Sequence, residues 1–230
     1  MGNPLELTIP GSWKNKQLII SDTDIACGST RILIRDLSRI SYHSTTTRTS
    51  VYFVPVNTST SSSFLIGTDS EAISFSIPGH GKEPNEVFHK LFYLSKNIFE
   101  PIIVKRLFST ILAGDTVKIG SISLNKEGFQ KKTFFGGVVA IPWNRYAGIV
   151  LHLAVVHVWY LTEKSVKKEF IAIPLATTNA AVLDVLLGLC HSEFGKYAAR
   201  GVRVCTSCGK ETESDGKFCQ HCGASLSPKN

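Results

Sequence analysis

Four cysteines near the C-terminal end, Cys205, Cys208, Cys219 and Cys222, are the side chains best placed by type and spacing to do chemistry. They form two Cys-x-x-Cys pairs, Cys205-Thr-Ser-Cys208 and Cys219-Gln-His-Cys222, with ten residues between them. Four thiolates at this spacing complete the ligand set of a tetrahedral zinc site. Each pair is followed by a glycine, Gly209 or Gly223, which can take a positive φ and curl the chain back round an ion. A four-sulfur set leaves no coordination position for water or substrate, so this reading assigns the zinc a structural role and no catalytic one.

Disulfides and a redox motif are the competing uses of such cysteines. The first residues, Met1-Gly2-Asn3-Pro4, lack the apolar stretch of an export signal, so the expected location is the cytoplasm, where thiols stay reduced. A thioredoxin-like site needs one pair beside a βαβ unit, and here two pairs share a polar tail. His221 sits inside the second pair, where Cys219 and Cys222 already take both converging positions, and is read as exposed. Cys27 and Cys190 lie in apolar surroundings and are read as small buried hydrophobes.

No other set rises to a catalytic constellation, and the chain is read as a non-enzyme. The seven histidines are scattered. Ile149 to Tyr160 reads as one strand, on which His152 and His157, five apart, fall on opposite faces. Gly79-His-Gly81 and Gly136-Gly137 read as turn or bulge glycines, without the spacing of a phosphate loop. Trp143 and Trp159 read as core, and the Lys164, Lys167, Lys168 group reads as a hairpin tip; Trp13 is unassigned.

These side chains need a scaffold, and the composition supplies one. The chain has 230 residues, 43% hydrophobic and 19% charged, the profile of a globular core former. Of its net +7, the first 200 residues carry +6 and the tail +1; four thiolates with one Zn²⁺ would bring the tail to about −1. The most apolar run, Ala147 to Leu161, has 15 residues, short of the roughly 20 that span a bilayer, and its Val, Ile, Trp and Tyr suit strands.

Short strands are expected at Leu5–Ile9, Gln17–Ile20, Arg31–Ile34, Val51–Val54, Ser63–Ile66 and Ala72–Ile77. Ser44–Thr49 and Asn57–Ser62 read as polar loops. The period then turns helical: Val87, Leu91, Leu94 and Ile98 recur with Phe88, Phe92 and Phe99 alongside. Pro84 fits a first turn, Pro101 should kink or divide the helix, and the stripe resumes through Ile102, Ile103, Leu107, Ile111 and Leu112 to Gly114. Strands are expected again at Val117–Leu124, Phe134–Ile141, Ile149–Tyr160 and Glu169–Ile173. A second helix begins near Thr178 and runs through Val182, Leu183, Leu186 and Cys190, and a linker follows at Lys196–Arg203.

The body reads as a repeat. Ile20-Ser-Asp-Thr-Asp-Ile25 parallels Leu124-Asn-Lys-Glu-Gly-Phe129, and Ile34-Arg-Asp-Leu-Ser-Arg39 parallels Ile141-Pro-Trp-Asn-Arg145. Phe75-Ser-Ile-Pro78 parallels Ile171-Ala-Ile-Pro174, each followed by an Asn-headed helix at Asn85 or Asn179. The expected fold class is α+β, mostly β: two small barrels, each closed by a C-terminal helix, with a metal-bound tail.

Through this element order, residues 5–200 resemble the pleckstrin-homology-like fold. Through Cys-x-x-Cys-Gly-Lys and Phe218-Cys-x-x-Cys-Gly, residues 203–226 resemble the short zinc ribbons. The resemblances imply domains at 1–113, 114–200 and 203–230. They also imply a role for basic residues round a first hairpin, where pleckstrin-homology domains hold phosphoinositides; Lys14, Lys16, Lys126, Lys131 and Lys132 are the candidates, against their reading as solvated loop charges. The expected function is that of a non-catalytic adaptor binding a protein partner, with nucleic-acid binding or contact with anionic membrane lipid as alternatives.

Overall fold

Alternation of inward apolar and outward polar residues builds the first half. The computed structural model describes residues 4–10, 15–51, 54–78, 82–199, 202–205, 207–213 and 218–225. Strands β1 (Leu5–Ile9), β2 (Lys16–Ile20), β3 (Asp24–Cys27) and β4 (Thr30–Leu33) form an antiparallel meander. Leu7, Ile9, Leu18, Ile20, Ile25 and Ile32 face inward from it. A 3₁₀ turn at Ile34–Asp36 redirects the chain into a second meander, β5 (Arg39–Val51), β6 (Val54–Gly67) and β7 (Ala72–Pro78).

A helical segment follows: α1 (Lys82–Leu94), a π-turn at Ser95–Phe99, and α2 (Glu100–Ala113). Pro84 lies in the first turn. Pro101 opens α2 and cannot donate to the preceding ladder, and the π-turn absorbs that loss without dividing the segment. Ser95 Oγ donates to Leu91 O at 2.7 Å, and Asn97 Nδ2 donates to Tyr93 O at 2.7 Å. Gly114 ends α2 with φ of 101°; its N–H donates to Ile111 O and that of Asp115 to Thr110 O.

The second half repeats this order. β8 (Val117–Ile119), β9 (Ile122–Leu124), β10 (Gly128–Lys132) and β11 (Val138–Pro142) form a four-stranded meander. A 3₁₀ turn at Trp143–Arg145 leads to β12 (Tyr146–His152), β13 (Val155–Leu161) and β14 (Lys167–Pro174), and α3 (Leu183–Ala199) closes the unit. The paired phrases of the sequence fall at matching places: the turn from second to third strand, the 3₁₀ turn after the fourth, and the end of the seventh. Gly128 is needed at the first of these, because a Cβ there would lie 2.0 Å from Ile141 O. In each half the two sheets are separate ladders among the described residues, facing each other across a core.

Several strands differ from their expected form. Val117–Leu124 is a hairpin turning at Gly120, and Ile149–Tyr160 is a hairpin turning at Leu153 and Ala154, both at positive φ. Leu and Ala give no turn signal, so the run reads as continuous. Phe134 and Phe135 lie in the β10–β11 turn, outside the strand that begins at Val138. Ser44–Thr49 and Asn57–Ser62 belong to the long β5–β6 ladder, where β-branched threonines favour extended backbone despite their polarity. Tyr52, Phe53 and Gly79-His-Gly81 lie outside the described residues. So do Trp13 and Lys14. Half of the expected linker is helix: α3 continues to Ala199, and β15 (Val202–Val204) starts three residues later.

Two cores result. The first gathers the inner faces of β1–β7 with Val87, Leu91, Leu94, Phe99, Ile103 and Val104. The second gathers β8–β14 with Ile111, Leu183, Leu186, Leu187 and Cys190. Leu91, Phe99 and Ile103 are at most 1% exposed, and burial of such side chains stabilises by roughly 1.5–3 kcal/mol each. Leu107 packs against both cores, and Val182 of the second half is buried in the first. Asn179 fastens the join: its N–H donates to Ile40 O at 2.7 Å, Ile40 N–H donates to its Oδ1 at 2.9 Å, and its Nδ2 donates to Ser38 O at 2.8 Å.

Candidate metal centre

The tail pairs β15 with β16 (Glu211–Glu213) and then forms an isolated bridge, Phe218 to Ser225. Each cysteine pair lies in a tight turn of the same design. Cys205 N–H donates to Lys210 O and Gly209 N–H to Cys205 O; Cys219 N–H donates to Ala224 O and Gly223 N–H to Cys219 O. Gly209 and Gly223 have φ of 70° and 71°, the left-handed geometry that a side chain would resist. The sequence expectation for these glycines holds.

The turns bring all four sulfurs together. Cys205 Sγ is 3.7 Å from Cys222 Sγ, Cys208 Sγ is 3.7 Å from Cys219 Sγ, and the set lies within 4.8 Å. Sulfurs bound at 2.3 Å to a tetrahedral ion stand about 3.8 Å apart. The spacing therefore fits one metal ion with four sulfur donors, one from each corner of the two knuckles. Cys205 and Cys219 are buried, while Cys208 and Cys222 face solvent.

Backbone N–H groups aimed at the sulfurs favour thiolates, the form a metal requires. Those of Cys208 and Ser207 lead in lowering the Cys205 thiol to about 6. The N–H of His221, 3.4 Å from Cys219 Sγ, leads in lowering that thiol. Cys222 goes the other way: the Ala224 N–H lowers it, but Cys208, burial, Cys205 and Cys219 together raise it to about 12. Without a cation, four crowded sulfurs cannot all carry charge, which is why Cys222 is raised. A divalent ion at their centre removes that conflict.

The remaining candidates scatter. Cys190 is fully buried, and burial raises its thiol to about 12; Cys27 is half-buried. His221 is exposed, and its backbone N–H reaches Cys219 Sγ in the knuckle. Lys126 lies in the β9–β10 turn and Lys131 and Lys132 on β10, so they do not surround the first hairpin of the second half, which turns at Gly120. Lys16 starts β2, exposed. Trp143 is 1% exposed and its Nε1 donates to Asn125 O at 2.9 Å, the core role expected of it.

Other groupings are visible only in three dimensions. The β12–β13 hairpin brings the His152 and His157 rings to 6.4 Å on one face, reversing the expected opposition, and His157 Nδ1 lies 2.8 Å from Glu169 Oε1. Tyr42 OH donates to Glu100 Oε1 at 2.5 Å, and Lys96 Nζ donates to Glu100 Oε2 at 2.9 Å. Burial first, and then Glu100, hold the Tyr42 phenol above its ordinary range. Beside this trio a cavity of about 250 Å³, lined by Phe92, Ile149, Leu151, Val156, Leu175 and Asp184 among others, opens between the halves. No helix among the described residues is long and apolar enough to cross a membrane. No family model, curated protein or solved structure matches the chain.

Proposed function

We propose that this chain is a non-catalytic adaptor: two pleckstrin-homology-like units presenting a protein-binding surface, with a zinc ribbon at residues 203–230 as a second rigid contact. The observation that carries it is the sulfur geometry. Four donors at the spacing of a tetrahedral ion saturate a zinc, so the metal would order the tail and activate nothing. When bound, zinc supplies the tail with cross-linking that so short a segment cannot obtain from a core of its own. Cys205, Cys208, Cys219 and Cys222 would hold it.

The body supports the same reading. Each half places seven strands in two facing sheets before a helix, the order of the pleckstrin-homology-like fold, with residues 1–113 and 114–200 as the proposed domains. Such units recognise peptides at sheet edges and beside the closing helix. Capture from a lysate of the native host, with nuclease, tests this. The intact chain is expected to retain defined proteins, and Cys219→Ser to lose those held through the ribbon. Retention that disappears with nuclease would refute the adaptor reading in favour of nucleic-acid binding.

A further inference from the structure

The third turn of the second half carries a feature that neither the metal centre nor the adaptor reading uses. β10 and β11 pair from Gly128↔Pro142 to Lys132↔Val138, and residues 133–137 close the hairpin. Gly136 N–H donates to Thr133 O at 3.1 Å, and Thr133 N–H donates to Gly137 O at 2.7 Å. Thr133 to Gly136 is thus a hydrogen-bonded β-turn with Phe134 and Phe135 at its two central positions. Side chains there project beyond the stem and cannot fold back onto their own strands. Gly136, at φ of 81°, returns the chain. Phe134 is 96% and Phe135 94% exposed, their rings edge to face at 5.4 Å, and Val138 at 58% widens the apolar tip. Single exposed apolar residues are ordinary; two adjacent aromatic rings at the outermost point of a built turn call for a partner.

The charges round the tip identify that partner's chemistry. Lys132 is exposed at the base of the turn. Lys131 donates to Phe170 O and stands 4.8 Å from the Phe170 ring, so the tip side of β10 adjoins the early part of β14. β14 leaves the hairpin 162–166, which with its start adds exposed Lys164, Lys167 and Lys168, and Val166 at 52% exposure. Its acids are engaged elsewhere: Glu163 by Arg145 at 3.3 Å and Glu169 by His157 at 2.8 Å. Aromatic rings flanked by lysines match a bilayer with an anionic headgroup layer, where rings settle at the acyl boundary and ammonium groups stay among the phosphates. A protein pocket fits less well, because lysine is depleted at the centres of protein interfaces.

We infer that the β10–β11 hairpin is an interfacial wedge, inserting Phe134 and Phe135 into anionic bilayers while Lys132, Lys164, Lys167 and Lys168 hold the headgroups. Flotation of the full zinc-loaded chain tests it, with vesicles of phosphatidylcholine alone and of phosphatidylcholine mixed with phosphatidylserine. The intact chain is expected on the mixed vesicles and not on the neutral ones, with retention falling as salt rises. Removing both rings in F134S/F135S should lower partitioning by about 100-fold or more, on the scale of two buried aromatic side chains. K132Q/K168Q should lower it by about tenfold or more. Neither ring packs on the core, so the thermal midpoint of F134S/F135S should equal that of the parent. Independently, F135W should gain fluorescence quenching by brominated acyl chains, relative to the parent, on mixed vesicles only. Absence of vesicle binding by the intact chain, or equal binding by F134S/F135S, would overturn the wedge. A polypeptide held through the same two rings without vesicle binding would reassign the tip to a protein pocket.

Discussion

Replacing Asn179 should loosen the join between the halves by a predictable amount. Its side chain satisfies Ile40 N–H and Ser38 O, and both Ile40 and Ser38 are buried. Because β5 is the outer strand of its sheet, these groups have no neighbouring strand to turn to. In Asn179→Gly both are orphaned, at about 1–3 kcal/mol apiece, so about 2–6 kcal/mol of stability is lost. Asn179→Ala should cost about 1 kcal/mol more, since the residue has φ of 65°, which asparagine and glycine tolerate and alanine resists. Asn179→Asp keeps an acceptor for Ile40 N–H but sets a second acceptor against Ser38 O, and should fall between the parent and Asn179→Gly. Urea unfolding followed by tryptophan fluorescence gives the order, and amide exchange at Ile40 locates the damage. If Asn179→Gly stayed within about 0.5 kcal/mol of the parent, the range of an inconsequential surface change, the claim that this side chain fastens the halves would be lost.

The purified chain should carry about one zinc, and Cys219→Ser, by removing a buried donor, should abolish it while leaving the two body cores folded; metal analysis and circular dichroism check both. Stability should decline in alkali: burial raises Cys190 from 9.0 to about 12, and burial, then Asp184, raise Tyr146 from 10.0 to about 12. A raised folded-state value gives stability that is complete below the unfolded value and lost as pH climbs towards the folded one, so urea midpoints should fall between pH 9.0 and about 12. Cys190→Ala should reduce that slope. Gly128→Ala forces a Cβ against the Ile141 carbonyl and should cost about 1–3 kcal/mol, read from the thermal midpoint.

The four-cysteine cluster was legible because its chemistry is local: the cysteines, the gap and the two glycines lie within a short span. The repeat was legible for a related reason, since turns such as Ser21–Asp24 and Asn125–Gly128 keep their polar character whatever surrounds them. The hairpin at Leu153–Ala154 was not, because its turn carries apolar residues whose left-handed backbone is imposed by the flanking ladders. Phe134 and Phe135 misled in the same way: apolar residues next to Val138 look like strand, and only the Thr133 and Gly136 hydrogen bonds place them beyond its end. Asn179 headed a helix in the sequence, and its hold on Ile40, 139 positions away, could not be read from any window.

The helical segment from Lys82 to Ala113 belongs to both cores: Val87 to Val104 fill the first, while Phe108 and Ile111 join the second. Synthesis from the N-terminus therefore delivers a first half whose own closing helix has an apolar end with nowhere to go until the second half emerges. A protease cut at Ala113–Gly114 would likewise leave the C-terminal fragment without Phe108 and Ile111. The two repeats should consequently be inherited, expressed and unfolded as one object, and any ligand that bridges them meets surfaces held at a fixed separation. Attachment at one then raises the local concentration at the other without a tether to tune.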